Sequence, residues 1–271
     1  MLLSIIIAIL ATAVNGQLNE SPFFRALDNC TRDLTIPAKR LEQYQLLVFP
    51  NDPETHCLIR CILVDLRAWQ DHTGVTHSVL QQYFNPQDTP SNAYRRVQNC
   101  LAQVSVNCPA GDACARAYWS FNCYKKHFGS YFFSREQIVP STAGQRRKNT
   151  LQCADKLAIP RQQIVEFVHR NRIDPRFGCF IRCTGLASGL YDDLTGLLLD
   201  RLYVTLGGQE QREVFLDRMY RAVESATVTT TERCAVAEQL TRPLQAMLFH
   251  VFGLTYRKRI PLSYHTKGLC D

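Results

Sequence analysis

The chain has 271 residues, 46% of them hydrophobic, with twelve cysteines and a formal net charge of +7. That length suits two domains of roughly 120 residues, each able to bury an apolar core. The basic excess reads first as solubility and second as a field that favours anionic ligands. It is too scattered for a nucleic-acid surface, which would interleave a broader basic face with aromatics.

Residues 1–16, MLLSIIIAILATAVNG, are apolar and end in small residues. They read as a signal peptide removed after Gly16. The run is shorter than the roughly 20 residues of a membrane helix, and no later segment is apolar for long enough to span a bilayer. Export places the cysteines in an oxidising compartment, where twelve of them can form six bridges. The Cys-x3-Cys pairs lack the common Cys-x2-Cys zinc spacing, and no His follows at a finger-like distance; neither metal nor cofactor is expected. Asn19 and Asn29 stand in glycosylation sequons.

In chain order, Asp52-Pro53 and Asp174-Pro175 look like helix starts, with Asp as cap and Pro in the first turn. Helical stripes follow over Val75–Phe84, Gly111–Phe128, Arg212–Val223 and Arg233–Val251. Strand alternation is weak throughout. The pattern predicts an all-α fold of short helices, divided into domains over 17–143 and 144–271.

The two halves repeat. Cys30-Thr-Arg-Asp-Leu-Thr-Ile-Pro37 resembles Cys153-Ala-Asp-Lys-Leu-Ala-Ile-Pro160, and Cys57-Leu-Ile-Arg-Cys61 resembles Cys179-Phe-Ile-Arg-Cys183. Two cysteines four apart share one helix face, so each should pin its helix to another element. Tyr94–Cys100 aligns with Tyr220–Ala226, and Cys114 with Cys234; nine residues beyond these last two lie Cys123 and Pro243. The second half therefore lacks counterparts of both Cys100 and Cys123, as expected if those two form one bridge. From the repeat, the remaining order suggests Cys30–Cys61, Cys57–Cys114, Cys153–Cys183 and Cys179–Cys234. Cys108 and Cys270 are left as a clasp from the carboxyl end to the first domain. Spacing alone does not fix connectivity.

The first half reads Cys30-x26-Cys57-x3-Cys61-x38-Cys100-x13-Cys114-x8-Cys123. This resembles the six-cysteine pattern of insect odorant-binding proteins, the pheromone and general odorant-binding family. The doubled arrangement resembles two-domain forms of biting flies, namely atypical odorant-binding proteins and long salivary D7 proteins. The resemblance implies bridges joining first to third, second to fifth and fourth to sixth cysteines, in agreement with the pairing above. It implies two tandem disulfide-bridged helical domains around apolar cavities.

Ligand-binding candidates in the first domain are Leu66, Trp69, Leu80, Phe84, Tyr118, Trp119, Phe121 and Tyr124. Tyr131, Phe132 and Phe133 join them, because the family often closes its pocket with the chain end. In the second domain the candidates are Tyr203, Phe215, Met219, Met247, Phe249, Phe252 and Tyr256.

Enzyme chemistry has no motif: no Gly-x-Ser-x-Gly elbow, phosphate loop or His-Glu-x-x-His helix occurs. His56 and His127 are the histidines placed near bridged helices, where a pocket His would confer pH-dependent release. Arg146-Arg147-Lys148 and Arg257-Lys258-Arg259 read as solvated faces. The leading function is a secreted carrier of small hydrophobic ligands, with a chemosensory receptor as an indirect partner. Two alternatives stand beside it: a D7-like salivary scavenger of eicosanoids or biogenic amines, and a structural or protein-binding role without ligand. Oligomeric state is not legible.

Overall fold

The computed structural model describes residues 21–87, 89–108, 111–133, 136–164 and 176–251. The signal segment, Asn19, the Asp174-Pro175 start, Phe252, Tyr256, Arg257–Arg259 and Cys270 lie outside the described residues. The chain forms two compact units, the first ending at Val139 and the second beginning at Pro140. Each unit is predominantly helical and cross-linked by disulfides.

In the first unit, α1 (Pro22–Asp33) starts where the Ser21 hydroxyl accepts the Phe23 N–H and Pro22 opens the first turn. Its buried face is Phe23, Ala26, Leu27 and Cys30. A short α2 (Ala38–Gln45) follows Pro37. Helix α3 (Pro53–Asp65) begins as Asp52-Pro53 predicts: Asp52 Oδ1 accepts the Thr55 N–H at 2.9 Å. It buries Leu58, Ile59, Ile62 and Leu63.

Next comes a hairpin of β1 (Trp69–Gln70) and β2 (Gly74–Val75), with Gly74 at φ +79°. A residue with a side chain is strained in that conformation, which explains Gly at the turn. The expected helix over Val75–Phe84 is shorter: Val75 sits in β2, α4 spans only His77–Leu80, and Gln81–Tyr83 is a 3-10 turn. The spacing that suggested one helix comes from residues that all point into the core but from three kinds of backbone.

Helix α5 (Ala93–Asn107) and helix α6 (Ala113–Phe128) complete the cage. Three disulfides join it: Cys30–Cys61 ties α1 to α3, Cys57–Cys114 ties α3 to α6, and Cys100–Cys123 ties α5 to α6. After Gly129 the chain turns back. The Asn85 N–H donates to Ser130 O at 3.0 Å, and the Phe132 N–H to Tyr83 O at 2.8 Å. Gln82 then exchanges two hydrogen bonds with the backbone of Ile138, each 2.8 Å.

The second unit begins with α7 (Ala143–Lys156), headed by a capping box of Thr142 and Gln145; Arg146-Arg147-Lys148 lies on this helix. Then come α8 (Arg176–Ala187), the hairpin of β3 (Tyr191–Asp192) and β4 (Gly196–Leu197), α9 (Leu199–Leu206) and α10 (Arg212–Glu224). The expected helix over Arg233–Val251 is interrupted. It forms α11 (Arg233–Thr241), a 3-10 turn over Arg242–Leu244 and α12 (Gln245–Val251). Pro243 lacks the N–H that a continuous helix needs. Cys153–Cys183 ties α7 to α8, and Cys179–Cys234 ties α8 to α11.

The repeat extends to individual hydrogen bonds. Ile36 and Ile159 each donate a backbone N–H at 2.9 Å across a helix end, to Thr31 O and Ala154 O; Thr35 and Ala158 have positive φ there. Arg67 and Gly189 repeat that device after α3 and α8. Each hairpin then carries an ion pair back to the helix before it, Arg60 to Asp71 and Arg182 to Asp193. The guanidinium of Arg60, with the Trp69 indole N–H, holds the Asp71 carboxyl down to about 2.

One contact is tighter in the second unit. A Cβ on Gly178 would lie 2.5 Å from the Cys234 carbonyl oxygen and 2.9 Å from its carbon. Backbone cannot swing aside as a side chain does. Gly178→Ala is therefore expected to cost about 1–3 kcal/mol by forcing α8 from α11. Thermal unfolding checks it against Gly144→Ala, where a Cβ would meet only Thr142 Oγ1, at 3.9 Å, and no loss is expected.

Candidate functional site

The interior of the first unit is built from aromatic rings. Phe23, at 0% exposure, lies within 6.4 Å, ring centre to ring centre, of Phe49, Tyr83, Tyr131 and Phe133. Tyr131 stacks in turn on Phe121 at 6.0 Å and lies tilted against Phe84 at 5.5 Å. The 131–133 segment thus lies against this cluster, with the rings of Tyr131 and Phe133 packed among the others and all three residues half-buried. The Phe132 N–H bond to Tyr83 O holds it, with the Asn85 bond to Ser130 O just before it.

The structure brings many of the candidates together. Leu66, Leu80, Phe84, Tyr118, Phe121 and Tyr124 are buried. Trp69 is buried as well, but its indole N–H donates to Asp71 Oδ1 at 2.8 Å, which commits it to the hairpin. Trp119 lies elsewhere, 40% exposed on the outer side of α6. One step along a helix turns a side chain by about 100°, so Trp119 cannot share the inward face of Tyr118 and Phe121. It lines a surface cleft of about 440 Å³ between α5 and α6, together with Val104, Asn107, Lys126 and the Cys100–Cys123 bridge. Cys108 opens onto the same cleft with a free thiol; its expected partner, Cys270, lies outside the described residues.

Phe23, Phe49, Tyr83 and His77 are central yet were not among the sequence candidates. For Phe23 a signal existed: it occupies the first turn of a helix whose cap, Ser21-Pro22, is visible. Tyr83 and His77 carry no such mark, because they sit in the short α4 and its 3-10 continuation.

His77 is 1% exposed and shares a hydrogen bond of 2.9 Å between Nδ1 and the Tyr124 hydroxyl. Tyr94 meets its ring edge-on at 4.7 Å, and Phe128 packs at 5.7 Å. Burial holds the imidazole down to about 4, so it is neutral at pH 7. His56 instead stacks on Tyr118 at 4.2 Å, half-buried, and His127 is half-buried on α6.

The buried tyrosines fall into two groups. The Tyr44 hydroxyl bonds Thr55 and accepts from Arg40, Tyr118 donates to Phe49 O at 3.1 Å, and Tyr124 meets His77. The hydroxyls of Tyr83 and Tyr131 are buried with no hydrogen-bond partner. Burial pushes both phenols well above the usual range.

In the second unit Tyr203, Phe215, Met219 and Phe249 are buried and Met247 is half-buried. Tyr203 packs edge-on against Phe215 at 5.4 Å, and its hydroxyl donates to Glu210 O at 2.9 Å. Among the described residues no group of His, Cys, Asp or Glu could hold a metal ion, and no helix is long and apolar enough to cross a membrane.

The six-cysteine cage with its aromatic interior coincides with a recognisable sequence segment. Residues 19–127 match the PBP/GOBP family. General odorant-binding protein 99a of Drosophila melanogaster is 27% identical over 100 residues, covering 36% of this chain and 69% of the relative. Odorant-binding protein 22 of Aedes aegypti is 26% identical over 99 residues, covering 36% and 68%. The matched segment ends within α6, inside the first unit. The matched family is a non-enzymatic class, and the likeness to it is one of sequence over residues 19–127.

Proposed function

We propose that this protein is a secreted, non-enzymatic carrier that encloses small hydrophobic ligands in the helical cage of its first unit. The observation that carries the reading is the aromatic interior against which Tyr131 and Phe133 pack. A half-buried chain segment outside the bridged helices can part from such a cluster and close over an apolar guest without unfolding those helices. The match of residues 19–127 to a binding-protein family supports the same reading. So do the three bridges, which let a small domain keep an interior that its core alone would not hold open.

The second unit is read as an altered copy with one bridge fewer, in the manner of a two-domain carrier. Any chemosensory receptor would be met indirectly, through the delivered ligand. Native mass spectrometry of delipidated protein against odorants, fatty acids, eicosanoids and biogenic amines tests the reading. Saturable one-to-one binding in an apolar class is expected. Preference for eicosanoids or amines would favour the scavenger role, and no saturable ligand in any class would refute a carrier.

A further inference from the structure

We infer that Tyr83 and Tyr131 are the polar recognition points of the first unit's interior, donating hydrogen bonds to an oxygen-bearing head group on an otherwise apolar ligand. The inference rests on the carrier reading and goes further, to the chemistry of the ligand.

An unpartnered hydroxyl in a protein interior costs free energy, because it has given up water for nothing. One such group would need an explanation; here there are two, and both flank the same ring. Tyr83, at 0% exposure, lies 5.9 Å from Phe23, and Tyr131 lies 6.4 Å from it on ring-centre distances. The unit otherwise partners the hydroxyls of its buried tyrosines Tyr44, Tyr118 and Tyr124. The two exceptions also share a backbone link, since the Phe132 N–H donates to Tyr83 O. Both orphan donors therefore stand where the 131–133 segment meets the cage.

The neighbouring charges set the kind of acceptor. Arg25 lies close enough to Tyr83 to act on its phenol, and Lys125 Nζ is 5.7 Å from the centre of the Tyr131 ring. Lys125 over the Tyr131 ring and the pull of the Arg25 charge on the Tyr83 phenol favour a head group that is negative or strongly polarised toward oxygen. A carboxylate fits best, followed by a carbonyl or alcohol. The surrounding wall of Phe23, Phe84, Phe121 and Phe133 offers only apolar surface, so the rest of the ligand must be apolar. This division, few polar groups for orientation and apolar surface for affinity, is how small-molecule sites work.

The test uses the full chain, delipidated, with Tyr83→Phe, Tyr131→Phe and the double variant. Affinity is measured for two pairs matched in shape: 2-naphthoic acid with naphthalene, and decanoic acid with decane. In the unsubstituted protein each acid should bind more tightly than its hydrocarbon. Each single substitution should weaken acid binding roughly tenfold, and the double about a hundredfold. Hydrocarbon binding should stay within about twofold. Equal loss for acid and hydrocarbon, or no loss for either, would overturn the inference while leaving a carrier intact. Failure of all four ligands to bind the unsubstituted protein would instead count against the carrier reading.

Ligand-free stability gives an independent check. Removing a hydroxyl that has no partner should leave the melting temperature unchanged or raise it. A fall of several degrees in the Phe variants would mean that the hydroxyls are already satisfied in the empty protein, and the assignment would fail.

Discussion

Replacing Cys57 and Cys114 together by alanine is expected to remove about 4 kcal/mol of stability from the first unit, the largest single loss for any bridge in it. The bridge closes a loop of 57 residues, against 31 for Cys30–Cys61 and 23 for Cys100–Cys123. The chain entropy withheld from the unfolded state grows with the logarithm of loop length, giving about 4 kcal/mol here. The three bridges differ by less than about 1 kcal/mol on that ground. Position adds to the effect. Cys57 lies on α3, whose buried face of Leu58, Ile59, Ile62 and Leu63 supplies the floor of the core, and Cys114 opens α6, which carries Phe121 and Tyr124. Chemical denaturation of the double alanine variant, compared with the equivalent Cys100–Cys123 variant, measures it. A smaller loss at Cys57–Cys114 than at Cys100–Cys123 would contradict the argument.

Acidification should destabilise the first unit over a defined window, and His77 should be the cause. Its imidazole titrates at about 4 in the folded protein, against roughly 6.5 in an unfolded chain. The folded value is depressed, so the unfolded state takes up the proton first as pH falls. The contribution is fully present above pH 6.5 and is lost progressively down to pH 4. A shift of this size corresponds to roughly 3 kcal/mol. Charging the ring inside the cluster of Tyr94, Tyr124 and Phe128 leaves no water to solvate it. Urea midpoints at pH 7, 5.5 and 4 should fall accordingly, and His77→Gln should flatten the slope while keeping a hydrogen-bonding group near Tyr124. Asp71 acts in a different window, because its carboxyl titrates at about 2. Its pairing with Arg60 is present above about pH 4 and is lost only below it. Both partners are substantially exposed, which keeps that contribution small.

The repeat made much of the fold legible. Cysteine spacing, Asp52-Pro53 and the Ile36 and Ile159 turns are local features, and local chemistry writes itself directly into sequence. The loss of Cys100 and Cys123 counterparts marked one bridge as a pair, and the structure contains that bridge along with four others. Helical periodicity located α6 and α10, whose inward faces are continuous; α5 showed itself only through the repeat of Tyr94–Cys100. It failed where one inward-facing pattern runs through changing backbone. Val75–Phe84 crosses a strand, a helical turn and a 3-10 turn, and Arg233–Val251 breaks at Pro243.

The interior was less legible than the frame. Trp119 has the composition of a pocket residue but the wrong angular position on α6. Phe23 and Tyr83 are far apart along the chain and become neighbours only when α1 packs beneath the returning 131–133 segment. Which tyrosines find partners is likewise a matter of what faces them: the Tyr124 hydroxyl meets His77 from a different element, while the Tyr83 hydroxyl meets no hydrogen-bonding group.

The sequence by itself determined the twofold cysteine frame, the helical class and the Asp52 cap of α3, because those follow from residue type at fixed local spacing. Only the tertiary structure decided that His77 is sealed from water and that two phenol hydroxyls are left without partners. Burial and the satisfaction of polar groups depend on surfaces brought together from distant segments, and no local pattern encodes them.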